Sequence, residues 1–153
     1  MPPRSSKLAR FLALPWPERR TLLAALALLP LFWLALRIHG LQRLQARLHR
    51  KPQPGGTPPA LDELKRTGAL VNAAAHRVLG PNNCLTRSLY LWWLLRRRGV
   101  PCELRIGVRM AQGALEAHAW VEHAGVPVND RTDVSDHFHA FDDAMSPSRF
   151  LTR

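Results

Sequence analysis

The chain has 153 residues, of which 46% are hydrophobic, and a formal net charge of +11. This length suits a single domain, and the apolar content excludes global disorder because it is enough for a hydrophobic core. The charge is concentrated: residues 1–51 hold ten Lys and Arg and one acid, Glu18, whereas residues 52–153 hold twelve Lys and Arg and ten acids. Such a basic segment favours lipid headgroups, nucleic acid or an acidic protein as partner, unless it is only a solvated face.

Cysteine content and the N-terminus bear on the compartment. Only Cys84 and Cys102 occur, with no CxxC pair and no four-cysteine set for zinc. The first residues lack the compact charged region, apolar stretch and small-residue cleavage site of a secretory signal. We therefore expect a cytoplasmic protein with free thiols.

The N-terminal segment, residues 1–51, is predicted to be basic, apolar and helical. Its uncharged run, 21–36, has sixteen residues, whereas a transmembrane helix needs about 20. Pro30 lies inside this run, and proline removes a backbone donor from a helix. We therefore predict two helices, 17–29 and 31–49, that pack on the domain or lie on a membrane as a peripheral contact; a membrane span is the less favoured alternative.

A proline- and glycine-rich linker at residues 52–59 separates this segment from a domain at residues 60–153. Two amphipathic helices are predicted after the linker, divided by the turn at 80–83. Gly99, preceded by three arginines, closes the second helix, as helix C-termini prefer. The apolar stripes of the two helices are Leu61, Leu64, Gly68, Val71, Ala75 and Val78, and then Leu85, Leu89, Trp92 and Leu95.

Alternating apolar and polar residues predict three strands next, at 102–110, 115–122 and 126–130. The tail from Arg131 onward is polar and irregular, and its pattern assigns no element.

Cys84 is the first candidate for chemistry. It follows Asn82 and Asn83, two residues that favour the cap position, and therefore begins a helix. The positive end of the helix dipole and unpaired backbone N–H groups stabilise a thiolate there, which is the nucleophilic form. A free cysteine is more often only a small buried hydrophobe, so the assignment depends on partners.

His118 and Asp130 are the candidate partners. His118 lies mid-strand between two small alanines, where it can serve as the base that a cysteine nucleophile needs. A three-residue turn at 123–125 would pair His118 with Asp130 across the hairpin, and the carboxylate would accept an imidazole N–H. The plainer alternatives are a half-buried histidine with satisfied hydrogen bonds and an aspartate that only ends a strand.

Five short motifs, in this order, resemble the lasso peptide biosynthesis proteases of the transglutaminase-like superfamily. They are Asn83-Cys84-Leu85-Thr86-Arg87-Ser88-Leu89, Arg98-Gly99-Val100-Pro101, Leu104-Arg105-Ile106-Gly107-Val108, His118-Ala119-Trp120-Val121-Glu122 and Asn129-Asp130. The resemblance is close over roughly residues 60–145 and loose over the N-terminal helices. Each motif is weak alone, whereas the ordered set is fairly specific.

The resemblance implies an α+β fold with a papain/transglutaminase-like core, in which a nucleophile helix packs on an antiparallel sheet, preceded by N-terminal helices. It implies Cys84 as nucleophile, His118 as base and Asp130 as orienting acid, without cofactor or metal. The implied activity is that of a cysteine protease that removes the leader from a ribosomally synthesised lasso peptide precursor through a thioester. The same triad also serves a transglutaminase-like acyl transferase, which remains an alternative.

The implied partners are the precursor leader and an asparagine-synthetase-like lasso cyclase. Some members of the family carry an N-terminal leader-recognition domain of winged-helix type. Nothing before Leu61 alternates like the strands of such a domain, so we expect a separate leader-recognition protein.

Other classes of function fit less well. His137 and His139, with Cys84 or Asp136, would make a zinc site, but they lie in a polar tail with no fixed spacing to a fourth ligand. A nucleic-acid binder would use the basic N-terminus, yet aromatic interleaving and DNA-reading motifs are absent, so no nucleic-acid partner is expected. A membrane-anchored scaffold without catalysis is the third alternative.

Overall fold

The computed structural model describes residues 7–49, 56–57 and 59–140, so most of the predicted linker and the end of the chain lie outside the described residues. Five helices precede an antiparallel sheet with the strand order β3-β2-β1-β4. This arrangement confirms the predicted α+β class. The elements are α1 (Lys7–Leu12), α2 (Trp16–His39), α3 (Leu41–Leu48), α4 (Leu61–Leu79), α5 (Cys84–Arg97), β1 (Glu103–Ala111), β2 (Ala114–His123), β3 (Val126–Pro127), α6 (Val134–His137) and β4 (His139–Ala140).

Helix α2 runs through Pro30 without a break, so the predicted division into helices 17–29 and 31–49 is wrong. The helix ends at Gly40 instead, where φ is 74° and the backbone N–H donates to the Leu36 carbonyl at 2.9 Å. Pro30 removes one backbone donor, but packing of one face of α2 on α4 and α5 offsets that loss. The buried residues of that face are Thr21, Ala25, Leu29 and Phe32.

Helix α5 is the central helix, because the residues from Leu89 to Trp92 are all buried. It packs on the sheet through β2 and contacts both α2 and α4. Val121 of β2 belongs to the same buried cluster as Leu29 of α2 and Val71 of α4. The core therefore lies between the three long helices and one face of the sheet.

The end of α5 follows the prediction. Gly99 has a φ of 78°, a conformation that glycine adopts without steric cost. Its N–H donates to the Arg96 carbonyl, and the Val100 N–H donates to the Leu95 carbonyl. These paired bonds form a Schellman cap, which turns the chain out of the helix shortly before β1.

The turn between β2 and β3 has two residues rather than the predicted three. The ladder pairs are Glu122 with Pro127 and His123 with Val126. Ala124 and Gly125 form the turn with φ values of 50° and 76°, and two successive positive φ values make a type I′ turn, whose twist suits the flanking strands. The predicted ladder pairing of His118 with Asp130 is therefore wrong by one residue, and β3 is shorter than the predicted strand 126–130.

Gly68 allows α4 to approach the chain that follows β3. A Cβ atom at this position would lie 2.1 Å from the carbonyl oxygen of Val128 and 3.1 Å from the Cα of Asn129. The path of the chain from Val128 onward therefore requires that residue 68 has no side chain.

We expect Gly68→Ala to destabilise the protein. At an open helical position the same change stabilises by about 1 kcal/mol, because glycine is a poor helix former. The Val128 carbonyl belongs to the backbone and cannot move aside as a side chain would, so we expect a net loss of about 2 kcal/mol or more. Thermal unfolding should show a Tm several degrees lower, and a raised Tm would contradict the close approach of α4.

Candidate active site

The first turn of α5 lies against an open edge of β2. Because β3 ends at Pro127, it does not extend along β2 as far as Ala119, and side chains of α5 bond to Ala119 instead. Ser88 Oγ donates to the Ala119 carbonyl at 3.0 Å, and the Ala119 N–H donates to the sulfur of Cys84. Cys84 and Ser88 are one helical turn apart, so both bonds position the start of α5 on the same residue of β2.

Cys84 has a thiol that is biased toward its anionic form. The side chain is half-buried, and its pKa lies below the ordinary 9.0. The hydrogen bond with His118 is the largest cause, and burial acts in the opposite direction. The Ala119 N–H and the positive charges of His118 and Arg87 lower the pKa further.

Asn83 occupies the cap position before Cys84 but does not cap the helix with its side chain. Its amide nitrogen donates instead to the carbonyls of Ala75 and Gly80, at the end of α4. The predicted cap position is therefore correct, whereas the side chain connects the two helices. Backbone N–H groups in the first turn of a helix have no intrahelical partner, and the Cys84 N–H is one of them.

His118 and Asp130 are joined by a short hydrogen bond, with 2.6 Å between Nε2 and Oδ2. Nδ1 is then the ring nitrogen that remains for Cys84. The bond with Asp130, followed by the bond with Cys84, raises the pKa of His118 to about 9 against the effect of burial. Burial opposes ionisation of Asp130, yet the bonds from His118 and from the Arg131 N–H keep its pKa below the ordinary 3.8. The three shifts therefore all favour the charged forms: a thiolate at Cys84, an imidazolium at His118 and a carboxylate at Asp130.

The structure brings Asp130 to His118 by a route other than the predicted strand pairing. After β3 the Val128 N–H still donates to the Val121 carbonyl at 2.9 Å, and beyond this bond the side chain of Asn129 takes the place of a strand partner. Asn129 Oδ1 accepts from the Val121 N–H at 2.8 Å, Asn129 Nδ2 donates to Ser88 Oγ at 3.0 Å, and the Asn129 carbonyl accepts from Asn72 Nδ2 at 2.7 Å. Three elements thus hold Asn129, and the next residue faces the imidazole.

Arg87 is a residue of the site that sequence reasoning did not single out. Its Nη2 lies 3.8 Å from Asp130 Oδ2, and its Nε is buried without a hydrogen-bond partner within the described residues. The only sequence signal is its position three residues after Cys84, which places both residues on one side of α5. Its charge favours both the Asp130 carboxylate and the Cys84 thiolate.

Two aromatic rings flank the imidazole. The ring centroid of Phe138 lies 5.0 Å from that of His118. The ring of Trp120 stacks on the imidazole, with 6.2 Å between the two centroids. Gly107 makes room for them, because a Cβ there would lie 2.9 Å from Phe138 Cβ and 3.0 Å from Trp120. Phe138 lies between α6 and β4, in the tail that the sequence pattern left unassigned.

The remaining candidate residues do not join this cluster. Within residues 7–49, 56–57 and 59–140, no group of three or more His, Cys, Asp and Glu side chains is arranged to hold a metal ion. His137, which is exposed, contacts Asp133 at 3.3 Å. Cys102 is buried, its thiol donates to the Trp92 carbonyl at 3.7 Å, and burial raises its pKa to about 12.

Comparison with known protein families gives one match, to the transglutaminase-like superfamily, over residues 25–141. The chain belongs to this superfamily. No curated protein and no solved structure matches it. The matched region begins within α2 and ends just after β4, so it includes the three candidate residues Cys84, His118 and Asp130. Membership confirms the transglutaminase-like fold and supports cysteine protease or acyltransferase chemistry.

Alkylation with iodoacetamide should distinguish the two thiols. We expect Cys84 to react at pH values below 9.0, because its thiolate is stabilised, and Cys102 to stay unmodified in the folded protein, because its pKa is about 12. Peptide mass mapping over a pH series measures a midpoint for each cysteine.

The matched control for this experiment is His118→Gln. This substitution removes the imidazole, whose hydrogen bond is the largest cause of the lowered Cys84 pKa. The labelling midpoint of Cys84 should therefore move upward toward 9.0. Equal labelling of Cys84 and Cys102 at every pH would contradict the assignment of the reactive thiol.

Proposed function

We propose that this protein is a cysteine peptidase in which Cys84 is the nucleophile, His118 the base and Asp130 the orienting acid. The observation that carries the proposal is the arrangement of one imidazole between a helix-terminal thiol and a carboxylate 2.6 Å away. Nucleophilic catalysis requires this order of groups, because the base must contact the nucleophile and must itself be held in one orientation.

Acylation begins with the Cys84 thiolate. Its sulfur attacks the scissile carbonyl carbon, and the negative charge moves to the carbonyl oxygen, near which the Cys84 backbone N–H is the first available donor. His118 then gives its Nδ1 proton to the leaving amine nitrogen. The C–N bond breaks, a thioester to Cys84 forms, and His118 is left neutral with its Nε2 proton directed at Asp130.

Deacylation uses the same groups in reverse order. Neutral His118 takes a proton from water, the hydroxide oxygen attacks the thioester, and the C–S bond breaks to release a carboxylic acid and the Cys84 thiolate. An amine in place of water would make the reaction an acyl transfer. The acceptor alone distinguishes these outcomes, so the products decide between them.

For the substrate, we infer the leader region of a ribosomally synthesised lasso peptide precursor. The support is the ordered set of motifs around Cys84, His118 and Asp130, which resembles the lasso leader peptidases. A separate leader-recognition protein would deliver the precursor, and an asparagine-synthetase-like cyclase would use the released core peptide. Both partners follow from the resemblance and are part of this proposal.

Asp130→Asn should lower turnover on the order of 10³-fold or more, because an amide cannot hold the His118 tautomer or stabilise the imidazolium. The fold should persist, since Asn is isosteric with Asp. Asp133→Asn is the matched control: Asp133 is a partly exposed residue that contacts Arg131 and His137, and its loss should change turnover little. A larger effect at Asp133 than at Asp130 would refute the assignment of the orienting acid.

Mass spectrometry of precursor peptides tests the activity itself. We expect slow or no cleavage by this chain alone and strong activation when a leader-binding protein is added. In water, the cleaved product should carry a free carboxylate. When an amine is supplied, an amide product should appear only if acyl transfer to that amine competes with hydrolysis.

Cys84→Ala and Cys102→Ala form the paired controls for this assay. The first should abolish processing, and the second should retain it, because Cys102 is buried away from the His118 imidazole. Rapid processing by the chain without any partner would refute the requirement for a recognition protein. Processing that survives Cys84→Ala would refute the peptidase mechanism.

A further inference from the structure

Helix α2 has an outer face that is apolar and exposed along most of its length. Leu23, Leu31, Trp33, Leu34 and Ile38 are between 42% and 64% exposed. Helical spacing places Leu23, Leu31, Leu34 and Ile38 on the side opposite the buried face of α2, with Ala27 and Pro30 between them, and Trp33 at the margin of this outer face. Only 22% of the most apolar stretch of α2 is buried in the structure, although the helix is long and apolar enough to cross a membrane.

A positively charged side chain lies at each end of this outer face. Arg20 lies at its N-terminal end and Arg37 at its C-terminal end, where the guanidinium of Arg37 lies 5.1 Å from the centre of the Trp33 ring. Glu18 is the single acid among residues 7–49, and helical spacing places it on the opposite side. The face therefore combines an apolar centre with basic ends.

The chemistry of the face favours lipid over protein as its occupant. Between Arg20 and Arg37 the only exposed polar side-chain group is the indole N–H of Trp33. A protein interface carries about one hydrogen bond per 100–200 Å², whereas the acyl region of a bilayer requires none. A second copy of this chain would bring the arginines of two outer faces together without an acid to neutralise them.

The buried face of α2 indicates how the helix would lie on the lipid. Arg98 donates to Thr21 Oγ1 at 2.8 Å, and Phe32 makes an edge-to-face contact with Tyr90 at 5.2 Å. A transmembrane orientation would separate these contacts, because a spanning helix exposes its whole circumference. A helix in the plane of the interface keeps them and exposes only the outer face to lipid.

We propose that the outer face of α2 binds the surface of an anionic bilayer and holds the catalytic domain there as a peripheral protein. The apolar residues insert at the boundary of headgroups and acyl chains, and the arginines contact the anionic headgroups. This surface is independent of the Cys84–His118–Asp130 cluster, so membrane binding and peptide processing are separately testable.

Co-sedimentation of the full chain with two kinds of vesicle tests the proposal. One is pure phosphatidylcholine, and the other is an equal mixture of phosphatidylcholine and phosphatidylglycerol. We expect binding to the anionic vesicles, weak binding to the neutral ones, and release by high salt and by alkaline carbonate. Retention through carbonate would overturn the proposal in favour of a span, and equal binding to both vesicles would overturn the role of charge.

Two double variants provide the matched comparison. L31Q/L34Q changes the outer face and should lower partition into anionic vesicles by about tenfold or more. M110Q/L115Q changes two exposed, large apolar residues near the tip of the β1–β2 hairpin, and this variant should bind vesicles as the unchanged protein does. Both variants should keep the Tm, because all four residues are exposed. No vesicle binding, with self-association in light scattering that L31Q/L34Q abolishes, would assign the face to a second copy instead.

Discussion

The site depends on the edge of β2 that β3 leaves uncovered. Buried backbone groups require hydrogen-bond partners, and the Ala119 carbonyl and N–H find them in Ser88 and Cys84 rather than in a strand. Asn129 satisfies the Val121 N–H in the same way. A longer β3 would occupy this edge with backbone bonds and exclude the helix. The short strand therefore determines that the first turn of α5 meets the sheet at the residue next to His118.

The electrostatics of the site follow from this docking. Burial alone would favour the neutral thiol, imidazole and carboxylic acid, yet the pKa of Cys84 and Asp130 is lowered and that of His118 is raised. Each group stabilises the charged form of its neighbour, and Arg87 adds a fourth charge on the carboxylate side. Because the ionisations are coupled, loss of any one member changes the protonation of the others.

Helix α2 serves the fold with one face and leaves the other to solvent. Its buried face completes the core over α4 and α5, and the match to the transglutaminase-like superfamily begins within it, so at least part of α2 belongs to the family domain. An exposed apolar face on the same element is unusual for a helix of a globular domain, whose outer side is normally polar. Through its two faces, α2 would connect the core of the domain to the bilayer surface that we propose as its partner.

Local patterns determined much of this protein. Helical periodicity, the Asn83 and Gly99 positions and strand alternation predicted α4, α5, β1 and β2, and the motif order predicted which three residues meet. The tertiary structure decided what depends on contacts between distant residues: the continuity of α2 through Pro30, the two-residue turn, the unassigned tail at Phe138, and the Asn72–Asn129 bond across 57 positions. Asp130 reaches His118 although its predicted strand register is wrong, because the side-chain bonds of Asn129, and not a ladder pair at Asp130 itself, position the residue. No local pattern encodes such bonds, since their free energy depends on the packing that surrounds them.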